Sequence, residues 1–159
     1  MAGRWRIRRG KRSDSSRFLN LVSGLAEFEH LGPPSPSAKR RIVADIFDRK
    51  RLNLFVAESR KRIVGYALYF YTYSSFLALP TLYIEDLFVA EEERRSGIGR
   101  ALFLKCAREA GRRGCGRMEW SVLTWNTNAI RFYGKLGARR LDQWVVFRLD
   151  AKSLKKLAT

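Results

Sequence analysis

Leu82-Tyr-Ile-Glu85-Asp86-Leu87-Phe88-Val89-Ala-Glu-Glu-Glu-Arg94-Arg95-Ser96-Gly97-Ile98-Gly99-Arg100-Ala-Leu-Phe-Leu104 reads as strand, loop and helix. Tyr83 to Val89 is aromatic and β-branched, with only Glu85 and Asp86 charged, whereas Ile98, Ala101, Leu102 and Cys106 fall on one helical face. Arg94, Gly97 and Gly99 stand at the junction. A glycine-bearing turn at a helix start frees several backbone N–H groups to point at one place, and the helix dipole adds positive potential there. That arrangement cradles phosphate. A helix that simply starts with two glycines explains the residues equally well. The stretch is neither a P-loop nor a complete dinucleotide fingerprint, because Gly97-Ile-Gly99-Arg-Ala-Leu102 lacks the third glycine.

Outward from this centre, 159 residues with 46% hydrophobic and 13% aromatic content can bury one good core, so one domain over 1–159 is expected, with a basic tail from about 151. Thirty-two basic against 15 acidic residues leave a net charge of +17, which favours an anionic partner: a phosphorylated cofactor, nucleic acid or an acidic membrane. Cys106 and Cys115 lack metal-like spacing, so reduced thiols in a cytoplasmic setting are expected, and a single His30 argues against a zinc site. Ile63 to Ile84 is free of charge for 22 residues, but its tyrosine-rich alternation, Ser74-Ser75 and Pro80 suit two strands and a loop, not a membrane span.

In chain order, Trp5 and Ile7 alternate with Arg4, Arg6 and Arg8 as a first strand, and Ser13-Asp14 can cap a helix that runs to about Gly32. Gly32 to Ser37 reads as a loop, and Ile42, Ile46 and Phe47 mark a second helix. Leu52 to Glu58 and Ile63 to Tyr73 flank the turn Ser59 to Arg62 as an antiparallel hairpin. After the central stretch, whose helix reaches about Arg112, Met118 to Thr124 is a strand. Asn126, Thr127 or Asn128 then caps a helix that Gly137 ends, Trp144 to Leu149 is a last strand, and Lys152 to Lys156 is a solvated tail. The fold class is α/β, with a mixed, mostly antiparallel central sheet flanked by helices.

With Arg94-x-x-Gly97-x-Gly99 followed by Asn126-Thr-Asn-Ala129-Ile-Arg-Phe132-Tyr133-Gly-Lys-Leu-Gly137, the chain resembles the GNAT N-acetyltransferase superfamily over nearly its whole length. Leu25-Ala-Glu-Phe28-Glu29, Gly65 to Tyr73, Leu82 to Val89 and Trp144 to Asp150 also resemble the diamine (spermidine/spermine) acetyltransferases and their thialysine-acetylating relatives. The resemblance implies acetyl-coenzyme A as cofactor. It would be held by Leu87, Phe88, Val89, Arg94, Arg95, Ser96, Gly97, Ile98, Gly99, Arg100, Asn126, Ala129 and Tyr133. It further implies Tyr133 as the acid for the departing thiolate, Glu85 as the catalytic base acting directly or through water, and Phe28, Glu29, Glu85 and Asp86 as substrate contacts. A homodimer is implied too. Each role has a plainer counterpart: Asn126 as a helix cap, Tyr133 as packing, Glu85 as an ion-pair partner and Glu29 as a solvated helix end.

Acetyl transfer to an amine needs a neutral amine, although a free alkyl ammonium titrates near 10; it also needs a hold on the carbonyl oxygen and a proton for the thiolate. The polyamine enzymes tend to carry Asp-Pro-Trp at the substrate mouth, where this chain has Ser74-Ser75-Phe76. The expected reaction is therefore acetylation of a primary amine on a small cation, whether diamine, polyamine or lysine-like amino acid. The alternatives are a protein lysine or N-terminal acetyltransferase and a basic nucleic-acid-binding protein of GNAT-like fold. The last has only non-specific charge behind it, and no membrane partner is expected.

Overall fold

A computed structural model describes residues 5–158, so Arg4 of the first strand and the ends of the 1–159 domain lie outside the described residues. Contacts within the chain gather into two compact units, residues 5–121 and 122–158.

The first unit is a five-stranded sheet in the order β1-β2-β3-β4-β5, antiparallel from β1 to β4 and parallel between β4 and β5. The strands are β1 (Trp5–Arg9), β2 (Asn53–Ser59), β3 (Arg62–Ser74), β4 (Leu79–Val89) and β5 (Arg117–Trp120). The β2–β3 connection is the expected hairpin. Its two-residue turn puts Arg60 and Lys61 at φ 47° and 62°, the sign that a type I′ turn requires at both central positions. β5 stops at Trp120, short of the expected Thr124, because only Thr81–Ile84 of β4 offers it a ladder.

Helices α1 (Ser15–Phe28) and α2 (Pro36–Phe47) precede the hairpin. The sequence places Asp14 as the cap of α1. Its carboxylate instead accepts from the Lys11 N–H at 2.7 Å and from both ends of the Arg8 guanidinium, at 2.8 and 3.0 Å, tying the helix entry to β1. α2 starts earlier than its apolar residues suggest, since Ser35 caps it by accepting the Ala38 N–H and Pro36 occupies its first turn. One face of the sheet packs Leu54, Val56, Ile63, Tyr66, Leu68 and Phe88 against Phe18 and Leu21 of α1 and Ile46 of α2. On the other face lies α3 (Ile98–Arg112), which buries Ile98, Leu102 and Cys106. A Cβ at Gly65 would stand 3.4 Å from Leu102 and 2.9 Å from the Phe88 carbonyl, so only glycine lets β3, β4 and α3 meet there.

The second unit holds α4 (Thr127–Lys135) and α5 (Ala151–Leu157). Gly137, at φ 90°, ends α4 as expected, with the Ala138 N–H returning to the Tyr133 carbonyl. One expectation fails here. Trp144 to Leu149 forms no strand, since a strand needs a ladder and no described residue pairs with it; Trp144 to Phe147 are 75–92% exposed. The basic tail keeps its lysines exposed, and it is helical, because Asp150 accepts the Ser153 N–H at 2.8 Å and starts α5. No helix among the described residues is long and apolar enough to cross a membrane.

Candidate active site

β4 and its neighbours hold the candidate residues of the first unit. Leu68 pairs with Asp86 while the next residue of β3, Tyr69, pairs with Ile84, so Glu85 is the extra residue of a β-bulge. Ile84 and Asp86 consequently lie on opposite faces, which plain alternation over two residues forbids. Sequence alternation sets Glu85 and Asp86 on opposite faces and lets only one of them meet a cleft. The bulge removes that restriction: Asp86 sits among the α1-side residues beside Tyr66, and Glu85 is turned out into solvent.

Past Ile84, β4 has no partner within residues 5–121 on the edge away from β3. The Ala90 N–H bonds the Val64 carbonyl at 2.8 Å, so by alternation the Phe88 amide faces β3 while those of Leu87 and Val89 face the unpaired edge. Two donors thus stand one pleat apart in the stretch expected to meet the cofactor. The side chain of Phe88 is buried under α1, with its ring 3.4 Å from the position of a Cβ on Gly24.

The turn before α3 is built from local bonds. Arg95 has φ 64° and Gly97 φ 86°, the latter as the residue preceding Ile98. Ser96 donates its hydroxyl to the Glu93 carbonyl, and its own carbonyl accepts from the Trp5 indole at 3.3 Å. A left-handed residue at this point aims the first amides of α3 outward from one place, and the nearest atom to a Cβ on Gly97 is 3.8 Å away, so the glycine answers a backbone need and not crowding. Arg95, Ser96, Gly97 and Arg100 are exposed, Gly99 is half-buried and Ile98 is buried as the helix anchor. Such a cradle fits a pyrophosphate. Arg94 does something else: its Nε donates to the Val89 carbonyl at 3.0 Å, and its guanidinium lies 5.2 Å over Phe28 and 5.4 Å over Phe88. It clamps the end of α1 to β4.

On that clamped end, Phe28 closes α1 and Glu29 follows as its half-buried C-cap. Glu29 and Glu85 both act electrostatically on Asp86, so three of the four expected substrate contacts belong to one acidic neighbourhood. Burial, reinforced by Glu85 and Glu29, pushes the Asp86 carboxyl up to about 6, although the Tyr66 hydroxyl donates to it at 3.1 Å and acts the other way. Tyr66 is the residue that sequence reasoning passed over. Its signal in the sequence is weak, because β3 carries four tyrosines, Tyr66, Tyr69, Tyr71 and Tyr73, and only the fold shows which phenol meets a carboxylate beside the bulge.

In the second unit Asn126 caps α4, its Oδ1 accepting the Ala129 N–H at 3.2 Å, so the structural reading of both residues is realised. Tyr133 is half-buried on α4 with its ring edge-on to Phe132 at 5.0 Å. Cys106 is buried and free, its thiol pushed up to about 12 by desolvation, and Cys115 is a free, half-buried thiol.

A family model described as Acetyltransferase (GNAT) family matches residues 21–138. The chain is 32% identical to a thialysine N-epsilon-acetyltransferase of Mus musculus over 96% of both chains. It is 42% identical to an L-ornithine N(5)-acetyltransferase of Arabidopsis thaliana over 60% of this chain, a match that spans only 42% of that relative. Among solved structures, an integron cassette protein from the mobile metagenome of V. cholerae superposes with a TM-score of 0.83 at 21% identity over 99% of each chain, a likeness of fold alone.

Proposed function

Since the chain belongs to the GNAT acetyltransferase family and is an N-acetyltransferase, we propose that it moves the acetyl group of acetyl-coenzyme A to the side-chain amine of a lysine-like or ornithine-like amino acid, or to a short diamine. Thioester activation of the acetyl group is what the cofactor supplies when bound. The observation that carries the reading is the β4 bulge, which sets Glu85 and Asp86 beside Glu29 on a protein whose net charge is +17. An acidic cluster on a basic surface selects a cation that also bears an anion, because the carboxylate of an amino acid is drawn to the surface while its ammonium meets the acids.

The chain's own groups divide the work. The amides opening α3, with Arg95, Ser96, Gly97, Gly99 and Arg100, offer the phosphate cradle. The Leu87 and Val89 amides are donors available to the acyl and pantetheine carbonyls. Glu85 meets the ammonium at the bulge and starts its deprotonation, directly or through water, and the Tyr133 phenol is assigned to protonate the departing sulfur. Ser75 to Ala78 forms the loop between β3 and β4, and the ladder from Leu79 puts that tip six residues, about 20 Å, from Glu85. An acid at that tip would serve only a long polycation, so its absence is neutral for short amines.

Steady-state thiol release from acetyl-coenzyme A with ornithine, lysine, a thialysine analogue, a short diamine, spermidine and spermine tests this. The amino acids and the diamine should match or exceed spermidine in kcat/KM. A hundredfold preference for spermine would show the reading wrong.

A further inference from the structure

One buried polar pair spans β3 and β4 without touching the phosphate cradle. Tyr66 is fully buried, its ring met edge-on by Phe18 at 5.0 Å and flanked by Phe88 at 6.4 Å, so its hydroxyl can point in few directions. It points at Asp86, donating to Oδ2 at 3.1 Å. The groups acting on Asp86 from the packed elements are this phenol on β3, Glu85 beside it on β4 and Glu29 at the end of α1, none of which is a cation. Arg94 is turned to the Val89 carbonyl and the Phe28 and Phe88 rings.

We propose that Tyr66 is a positioning residue that holds Asp86 as the group on which the substrate's ammonium proton comes to rest. This rests on the amine-acetylation reading and deepens it. A carboxylate among other carboxylates and apolar rings is a stronger base than one in water, and burial with Glu85 and Glu29 does push Asp86 up to about 6. It is still ionised at neutral pH, as an acceptor must be. Glu85, exposed at the bulge, makes the first contact. The proton then passes to Asp86, directly or through one water. One N–H bond breaks and an O–H bond forms on Asp86; the freed nitrogen pair makes the C–N bond to the acetyl carbonyl carbon, the C–S bond breaks with its electron pair on sulfur, and the second proton lost by that nitrogen balances the one the thiolate takes up, so that amide, thiol and one proton result. Asp86 returns its proton to solvent after turnover. The phenol holds the carboxylate in one rotamer and keeps its basicity from climbing so far that Asp86 would sit protonated at neutral pH.

The test compares the wild-type protein with Tyr66→Phe, which keeps the ring and the packing. Carbon-13 NMR of the Asp86 carboxylate in the free protein and the pH profile of kcat/KM with ornithine are measured side by side. Loss of the hydroxyl should move both the carboxylate titration and the acid limb upward by about one unit. Turnover should fall roughly tenfold below pH 7 and recover above pH 8, while KM for acetyl-coenzyme A stays put. An acid limb that does not move in Tyr66→Phe overturns the proposal, as does a moved titration without a moved limb. Should that variant be too unstable to assay, Asp86→Asn decides: the limb near pH 6 must vanish, and its persistence overturns the assignment. A wild-type protein that acetylates none of the amines would defeat the amine reading itself, whereas an active enzyme with an unshifted limb defeats only the role of Tyr66 and Asp86.

Discussion

Glu109 and Asp86 are two buried or half-buried carboxylates attached to the same sheet, and their surroundings could hardly differ more. Glu109, on α3, accepts from Arg112 at 2.7 Å, Arg9 at 3.1 Å and Arg113 at 3.3 Å, with the Tyr71 phenol at 3.4 Å. The Arg112 and Arg113 hydrogen bonds hold its carboxyl down to about 2. Asp86 has one neutral donor and two acidic neighbours, and is pushed up to about 6. A chain with 32 lysines and arginines has no shortage of cations, so the missing one at Asp86 is a matter of placement. The Glu109 charge is neutralised from within the chain, whereas Asp86 meets no cation among the described residues, as its proposed role requires. On the proposed reading, that contrast in charged partners separates a structural acid from a functional one.

The hardest strike at the contrast is Asp86→Asn. Loss of the acceptor should lower kcat/KM by about 10²- to 10⁴-fold. At pH 7 the same change should raise folding stability by about 1–2 kcal/mol, because an ionised carboxylate no longer has to sit in a desolvated site. Urea unfolding beside the kinetics measures both; a variant that keeps its activity and loses stability would make Asp86 a structural acid after all.

Glu109→Gln should do the reverse. Three guanidiniums would lose their shared anion, and because each is itself about half exposed the loss should be near 2 kcal/mol, below the range for fully buried pairs, with kcat changed less than threefold. Stability unaltered within half a kcal/mol would mean that water already satisfies the arginines.

The smallest effect is also the most diagnostic. Asp86 titrates higher in the native protein than in the unfolded chain, so the native state binds its proton more tightly and stability falls as pH rises from about 4 to about 6. Glu109 titrates lower in the native protein, so its contribution is complete above about 4.5 and is lost as pH falls toward about 2. Urea midpoints collected from pH 3 to 7 should show a decline of about 1 kcal/mol between pH 4 and 6 that Asp86→Asn abolishes and Glu109→Gln leaves in place. A decline that survives in Asp86→Asn belongs to another group.

Much of the fold is legible in local sequence because its signals are local. Alternation in Trp5 to Arg8, the helical spacing of Ile98, Leu102 and Cys106, and the glycine at 97 all act within a turn or a strand, and the structure keeps them. What is not legible depends on partners far along the chain. The bulge at Glu85 exists only in the register between β4 and β3, and Tyr66 finds Asp86 across 20 residues. Asp14 has the composition of a cap, but Arg8 across the turn outbids the helix amides for it. Trp144 to Leu149 has every local mark of a strand and forms no ladder among the described residues, which local sequence cannot display. The acids around the bulge are therefore legible by type, while the face each one occupies is not.

That same unpaired run has a practical side in solution. Trp144-Val-Val-Phe147 is β-prone, uncharged, free of proline and open to solvent, which is the profile of a segment that adds to any free strand edge of another molecule. At long range two copies of net charge +17 repel one another. Repulsion of that kind reaches about 10 Å at 0.1 M salt and only about 3 Å at 1 M. Raising the salt therefore shortens the range over which that charge opposes contact through this run.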